Sequence, residues 1–120
     1  MAAVKNPAVS QAYATGNIAV GSGTTPGTVV NIATEDFADA YIVFLTGATA
    51  PTAAAVATLM VSVDNTTFYA AGALACSMQA ATQNSGTLPI PASAQYARVD
   101  FSAPTGTAVS GGAQIGYGTF

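Results

Sequence analysis

The sequence is poor in charge and lacks several reactive side chains. It has 2 basic and 5 acidic residues among 120, so charged side chains make up 6%, where about 25% is usual. Histidine and tryptophan are absent, and Cys76 is the one cysteine. These shortages exclude a histidine-based triad, a histidine or cysteine metal cage and an intrachain disulfide. We therefore expect a non-enzymatic protein without a cofactor, in which Cys76 is a small buried apolar residue.

Cations and long apolar runs are also scarce. Lys5 and Arg98 are too few to displace counterions from a nucleic acid or to dock on an anionic membrane. The longest nearly apolar stretch, 53–63, is interrupted by Thr58 and Ser62, whereas a membrane helix needs about 20 apolar residues. No apolar segment follows Lys5, so we expect no cleaved secretion signal. The sequence thus predicts a protein made in a cytoplasm, with neither nucleic-acid nor membrane partners.

Short alternating segments between turn clusters are abundant. Residues 57–64 and 96–102 alternate apolar with polar side chains, and 40–45 is apolar on both faces, which is typical of a central strand. Turn-forming residues separate such segments at 21–27, 46–51, 64–67, 83–86 and 103–106. The pattern predicts an all-β sandwich or barrel of about eight strands.

Three further segments carry signals for turns, bulges or helices. Asp64-Asn65 predicts the turn of a hairpin, because both side chains imitate turn hydrogen bonds and tolerate the left-handed conformation. Gly111-Gly112 predicts a bulge or a close backbone approach. The segment 73–82 also fits helical spacing, so a short helix or coil is allowed there.

The domain organisation is simple. Residues 1–11 contain Pro7 and little periodicity, and we interpret them as an extended N-terminal arm, with 12–120 as the β domain. The inward-facing members of the three most regular strands predict a core made of Ile42, Phe44, Leu59, Val61, Val99 and Phe101.

The acidic residues offer few chemical sites. Glu35, Asp36 and Asp39 could hold a Ca²⁺ ion, but Phe37 and Ala38 interrupt the cluster, and a solvated loop is the simpler interpretation. Two other carboxylates, on Asp64 and Asp100, could meet as a glycosidase pair. We expect them instead at strand ends facing solvent.

The thinly charged surface favours an assembly. Free domains use interspersed charge to stay apart, so a surface of Ala, Thr, Ser, Gly, Asn and Gln suggests coverage by partners. Arg98 and Asp100 lie two apart on one strand and predict an exposed ion pair, and arginine is enriched at interfaces. The predicted interface residues are Lys5, Pro7, Val9, Arg98 and Asp100.

Four segments resemble small structural proteins of tailed bacteriophages over roughly residues 40–115. They are 47–52 (GATAPT), 61–68 (VSVDNTTF), 88–91 (LPIP) and 96–99 (YARV). Asn65 stands where glycine is commoner in the hairpin of that family. The resemblance implies a jelly-roll-like β-sandwich of antiparallel strands and a role as a capsid decoration (cement) protein or a tail or fibre module. It implies no catalytic residues.

Two hypotheses follow from these observations. In the first, the protein is a virion component that cements major capsid subunits and self-associates, for example as a trimer. In the second, it is a small tail, spike or fibre module that binds host glycan or another tail protein, which clustered exposed tyrosines would favour. A pilin-like or surface-layer subunit is a third alternative, disfavoured by the lack of a signal segment.

Overall fold

The computed structural model describes residues 4–32 and 38–119, and within these ranges the backbone forms strands joined by turns and loops. The strands are β1 (Val4–Ile18), β2 (Thr24–Thr25), β3 (Val30–Asn31), β4 (Ala38–Thr46), β5 (Val56–Ser62), β6 (Tyr69–Ala75), β7 (Gln83–Pro89), β8 (Tyr96–Ser102) and β9 (Val109–Thr119). The described residues thus hold one strand more than the eight predicted. The additional strand, β2, lies inside a cluster that the sequence predicts only as a turn.

The strands form two antiparallel sheets. The order in the first sheet is β1-β9-β4-β7, and the order in the second is β2-β8-β5-β6, with β3 also paired to β8. Along the chain the strands cross repeatedly from one sheet to the other, so spatial neighbours are distant in sequence. This connectivity is that of a jelly roll. The all-β, jelly-roll-like sandwich is therefore confirmed.

The core lies between the two inner faces. Phe44 of the first sheet and Phe101 of the second meet edge to face, with ring centroids 5.6 Å apart and planes at 74°. Five of the six predicted core residues are fully buried, and Val61 is partly buried at the margin of the same cluster. The alternation therefore predicts the inward face of β8 and of β5 up to Val61 correctly, whereas Ser62, predicted to face outward, is buried, and Val63, predicted to face inward, is exposed.

The N-terminal segment pairs with the end of the chain. Residues 4–11, interpreted above as an arm, form the first part of β1, whose partner is β9. The register of this pair shifts three times, between Asn6 and Ser10, Ser10 and Tyr13, and Tyr13 and Gly16. Pro7 falls in the first of these irregular stretches, where a missing backbone N–H is tolerated because β1 is an edge strand.

The ambiguous segment 73–82 contains no helix. Its first residues complete β6, where Leu74 pairs with Ala57 across the sheet. The remainder is a turn held by Asn84, whose Oδ1 accepts the N–H of Ser77 at 3.0 Å and whose Nδ2 donates to the carbonyl of Ala75 at 3.0 Å. Pairing with β5 thus outweighs the local helical spacing.

Candidate interaction surface

Arg98 and Asp100 form an ion pair on the outer face of β8. Arg98 Nε lies 3.0 Å from Asp100 Oδ1, and the side chains are 25% and 12% exposed. The same Oδ1 accepts the backbone N–H of Gly27 at 3.3 Å. The predicted pair is therefore present, but the expectation that it is exposed and that Asp100 faces solvent at a strand end is wrong, because Asp100 lies within β8 and the loop after β2 covers it.

Phe68 covers the other end of this pair. The Arg98 guanidinium carbon lies 4.3 Å from the centre of the Phe68 ring, within cation–π distance. The contacts of Phe68 and Gly27 were not predicted from the sequence, since each residue approaches β8 from a separate loop. Arg98, held on two sides within the fold, supports the structure of this sheet face.

The remaining predicted interface residues lie elsewhere. Lys5, Pro7 and Val9 belong to β1 at the edge of the first sheet, and Lys5 pairs with Gly118. Arg98 and Asp100 lie on β8 of the second sheet. The five residues therefore do not form one continuous strand surface.

The acidic cluster is only partly described. Glu35 and Asp36 lie outside the described residues, so the possibility of a cation site there stays a prediction. Asp39 is half-buried in β4, where its register partners are Pro89 and Gly116. Among the described residues there is no group of three side chains suited to hold a metal ion.

Asp64 organises the β5–β6 turn. Its Oδ1 accepts hydrogen bonds from the backbone N–H of Thr66 at 2.9 Å, from that of Thr67 at 3.0 Å and from the hydroxyl of Ser62 at 2.9 Å. Asn65 adopts the left-handed conformation, with φ of 60°. The hydrogen bonds from Thr67, Thr66 and Ser62 lower the pKa of Asp64. The prediction of a turn at Asp64-Asn65 is confirmed, and the Asp64 carboxylate is the hydrogen-bond acceptor that holds the turn together.

Neutral and apolar side chains dominate the exposed positions outside these clusters. Tyr41 and Leu45 project from β4, and a cavity of about 320 Å³ beside Leu45 is also lined by Val43, Gln83 and Ser110, among others. Further exposed apolar side chains are those of Val20, Val29, Val63, Tyr69 and Met78. The described ranges contain no helix long and apolar enough to cross a membrane.

Solved structures share this fold, although no protein-family model and no curated protein matches the chain. A chain of T=1 particles derived from infectious bursal virus superposes with a TM-score of 0.58, at 13% identity, over 98% of this chain and 31% of that chain. PirA superposes with a TM-score of 0.53, at 11% identity, over 95% of this chain and 99% of that one. A family 16 carbohydrate-binding module gives a TM-score of 0.51, at 10% identity, over 91% and 88%. The present chain spans about a third of the viral chains it matches, and at these identities the likeness concerns the fold.

Proposed function

We propose that this chain is a non-enzymatic structural protein of a virus particle, and more specifically a cement protein of a tailed-phage capsid. The observation that carries the proposal is the nearly uncharged surface of the jelly roll. A surface of 6094 Å² is shared by 2 basic and 5 acidic side chains, and Arg98 and Asp100 neutralise one another. Such a surface is suited to being covered by other subunits.

Neutral surfaces are inexpensive to bury. Charged groups cost several kcal/mol each when they lose water without an ideal partner, whereas burial of a small apolar side chain is favourable and burial of a hydroxyl costs little once it is hydrogen-bonded. A subunit of this kind would bridge neighbouring capsid proteins through backbone edges and neutral side chains. Because it would bind only the assembled lattice, it would stabilise that lattice by mass action.

Two independent likenesses support a viral setting. The fold matches chains of infectious bursal disease virus particles, and the segments quoted above resemble phage structural proteins. The proposed location is therefore the virion, and the proposed partner is the major capsid protein or another virion protein.

A tail or spike module that binds glycan is the second candidate. Tyr41 is 44% exposed on β4, with Thr87 and Gln114 as its cross-strand neighbours. A ring, a hydroxyl and an amide are groups that could stack on and hydrogen-bond a sugar. Among the residues whose side chains the structure describes, the other well exposed ring is that of Tyr69, on the edge strand of the other sheet. The two rings therefore form no common platform, and we prefer the cement proposal.

Electron microscopy of the source particles tests the choice. An antibody against the protein, used with a three-dimensional reconstruction, should locate regularly spaced copies on the capsid shell. Copies confined to the tail would support the second candidate, and particles without the protein would overturn both. A glycan-binding screen with Tyr41→Ala as the matched variant would show whether the Tyr41 face has any role in sugar recognition.

A further inference from the structure

We propose that β7 is a self-pairing edge, through which two copies of this chain join their first sheets into one continuous sheet. The inference does not depend on the proposed function, because it concerns the free protein in solution. It follows from a comparison of the sheet edges that the described residues form.

Three of the four edges are blunted. The β1 edge carries Lys5 and Pro7 and has three register shifts. One edge of the second sheet, on the side of β8 away from β5, is formed by the two-residue strands β2 and β3. The β6 edge is bulged, because Leu59 pairs with Gly72 while the adjacent Met60 pairs with Ala70. Charges, prolines, short strands and bulges are the devices that keep edges from pairing.

The β7 edge has none of these devices from Gln83 to Leu88. Its seven residues pair with β4 from Asp39–Pro89 to Leu45–Gln83 without a register shift. The strand carries no charge, and its one proline, Pro89, is the terminal residue. β7 ends the first sheet, and in the described structure it pairs only with β4. Its outward N–H and C=O groups therefore form a straight ladder whose natural complement is another β-strand.

A second copy of β7 fits this ladder. In an antiparallel pair centred on Gly86, Ser85 of one copy would lie opposite Thr87 of the other on the outer face. Both side chains are small, neutral and exposed. Asn84 would lie opposite Leu88 on the inner face, and glycine would face glycine at the twofold axis without steric conflict. Because the contact uses the same patch on both copies, it closes at a dimer.

Sedimentation velocity on the purified chain tests the proposal. The wild type should be dimeric, and Ser85→Lys/Thr87→Lys should raise the dimer dissociation constant by about tenfold or more, since like charges would lie directly opposite. The matched control, Thr49→Lys/Gln114→Lys, makes the same charge change at exposed positions away from β7 and should remain dimeric. Circular dichroism would verify that both variants are folded.

Oxidative cross-linking tests the register. Directly paired Cα atoms lie about 4.5–5.5 Å apart, within disulfide range, whereas diagonal positions lie about 7–8 Å apart. A mixture of Ser85→Cys and Thr87→Cys should cross-link, and each variant alone should do so much less; Cys76 is buried and does not interfere. A monomeric or trimeric wild type, a dimer insensitive to the β7 charges, or no cross-link in the mixture would overturn the proposal.

Discussion

At the scale of single residues, Gly111 shows how closely the two sheets approach. A Cβ added there would lie 2.9 Å from Ile18 Cδ1 and 3.1 Å from both Phe101 Cε2 and Phe44 Cδ1. The predicted close approach at Gly111-Gly112 is thus confirmed at Gly111. The glycine makes room for the edge-to-face pair of Phe44 and Phe101.

Gly111→Ala should therefore destabilise the protein by about 1–3 kcal/mol through overpacking. The matched control is Gly116→Ala in the same strand, where a Cβ would meet no atom within 4 Å, and its effect should stay within about 0.5 kcal/mol. Urea denaturation of both variants measures the difference. Equal effects would show that Gly111 has room for a methyl group beside Ile18, Phe44 and Phe101, contrary to the distances above.

Asp64 should make stability depend on acid pH. Hydrogen bonds from Thr67, Thr66 and Ser62 lower its folded-state pKa from 3.8, so the unfolded chain binds the proton more tightly. The stabilisation is therefore fully present above about pH 4 and is lost as the pH falls through the folded pKa. The excess stability of the wild type over Asp64→Asn should be present near neutrality and should shrink in acid. A difference that stays constant over this range would contradict the assignment.

The ion pair on β8 should behave as a coupled unit. Arg98→Met leaves the largely buried Asp100 carboxylate with Gly27 N–H as its described hydrogen-bond donor, and it also removes the stacking on Phe68. A double-mutant cycle with Arg98→Met and Asp100→Asn should give a coupling free energy of about 1 kcal/mol. Additive effects would mean that each side chain acts independently.

At the scale of elements, β5 and β8 form the centre of the second sheet and supply much of the core. Ala57 pairs with Phe101, and Leu59 pairs with Val99; all four side chains are fully buried. Further along, Ser62 is buried and Val63 is 62% exposed, so the regular alternation of 57–64 stops where β5 ends. The buried Ser62 hydroxyl is satisfied within the turn, where it donates to Asp64 Oδ1 and accepts the N–H groups of Asp64 and Asn65.

Phe101→Ala tests this register. Removal of the ring should lower the free energy of unfolding by about 3–5 kcal/mol, because it leaves a cavity beside Phe44. Tyr69→Ala is the matched aromatic control, since Tyr69 is 66% exposed, and it should cost far less. Chemical denaturation checks both values. A loss below about 1 kcal/mol for Phe101→Ala would place the inward face of β8 one residue out of register.

At the scale of the whole molecule, the scarcity of charge should make association insensitive to salt. Screening over a Debye length of about 10 Å at 0.1 M has few charges to act on. The dissociation constant of the wild-type dimer should change by less than about twofold between low and high salt. We expect the same for binding of the protein to an assembled capsid shell. Ser85→Lys/Thr87→Lys should instead associate more strongly as salt rises, because screening weakens the introduced repulsion. A steep salt dependence of the wild type would show that ion pairs dominate the contact.

Local patterns in the sequence predict the fold class, most of the inward-facing residues and the Asp64-Asn65 turn. These features depend on residues that are close together in the sequence. Alternation along one strand is enough to show which face of that strand is apolar and turns toward the core. The neutral character of the surface likewise follows from composition, because seven charges cannot cover a domain of this size wherever they lie.

Which distant segments meet becomes known from the folded structure. The pairing of β1 with β9, the burial of Asp100 by Gly27 and the stacking of Phe68 on Arg98 each join parts of the chain with no shared local pattern. The same holds for the unblunted edge at β7, which is an edge because, in the described structure, β4 is the one strand that pairs with it. Such contacts form when the free energy gained by packing two whole sheets exceeds the entropy cost of closing long loops. Both quantities involve residues far apart in the sequence, so a local pattern cannot predict them.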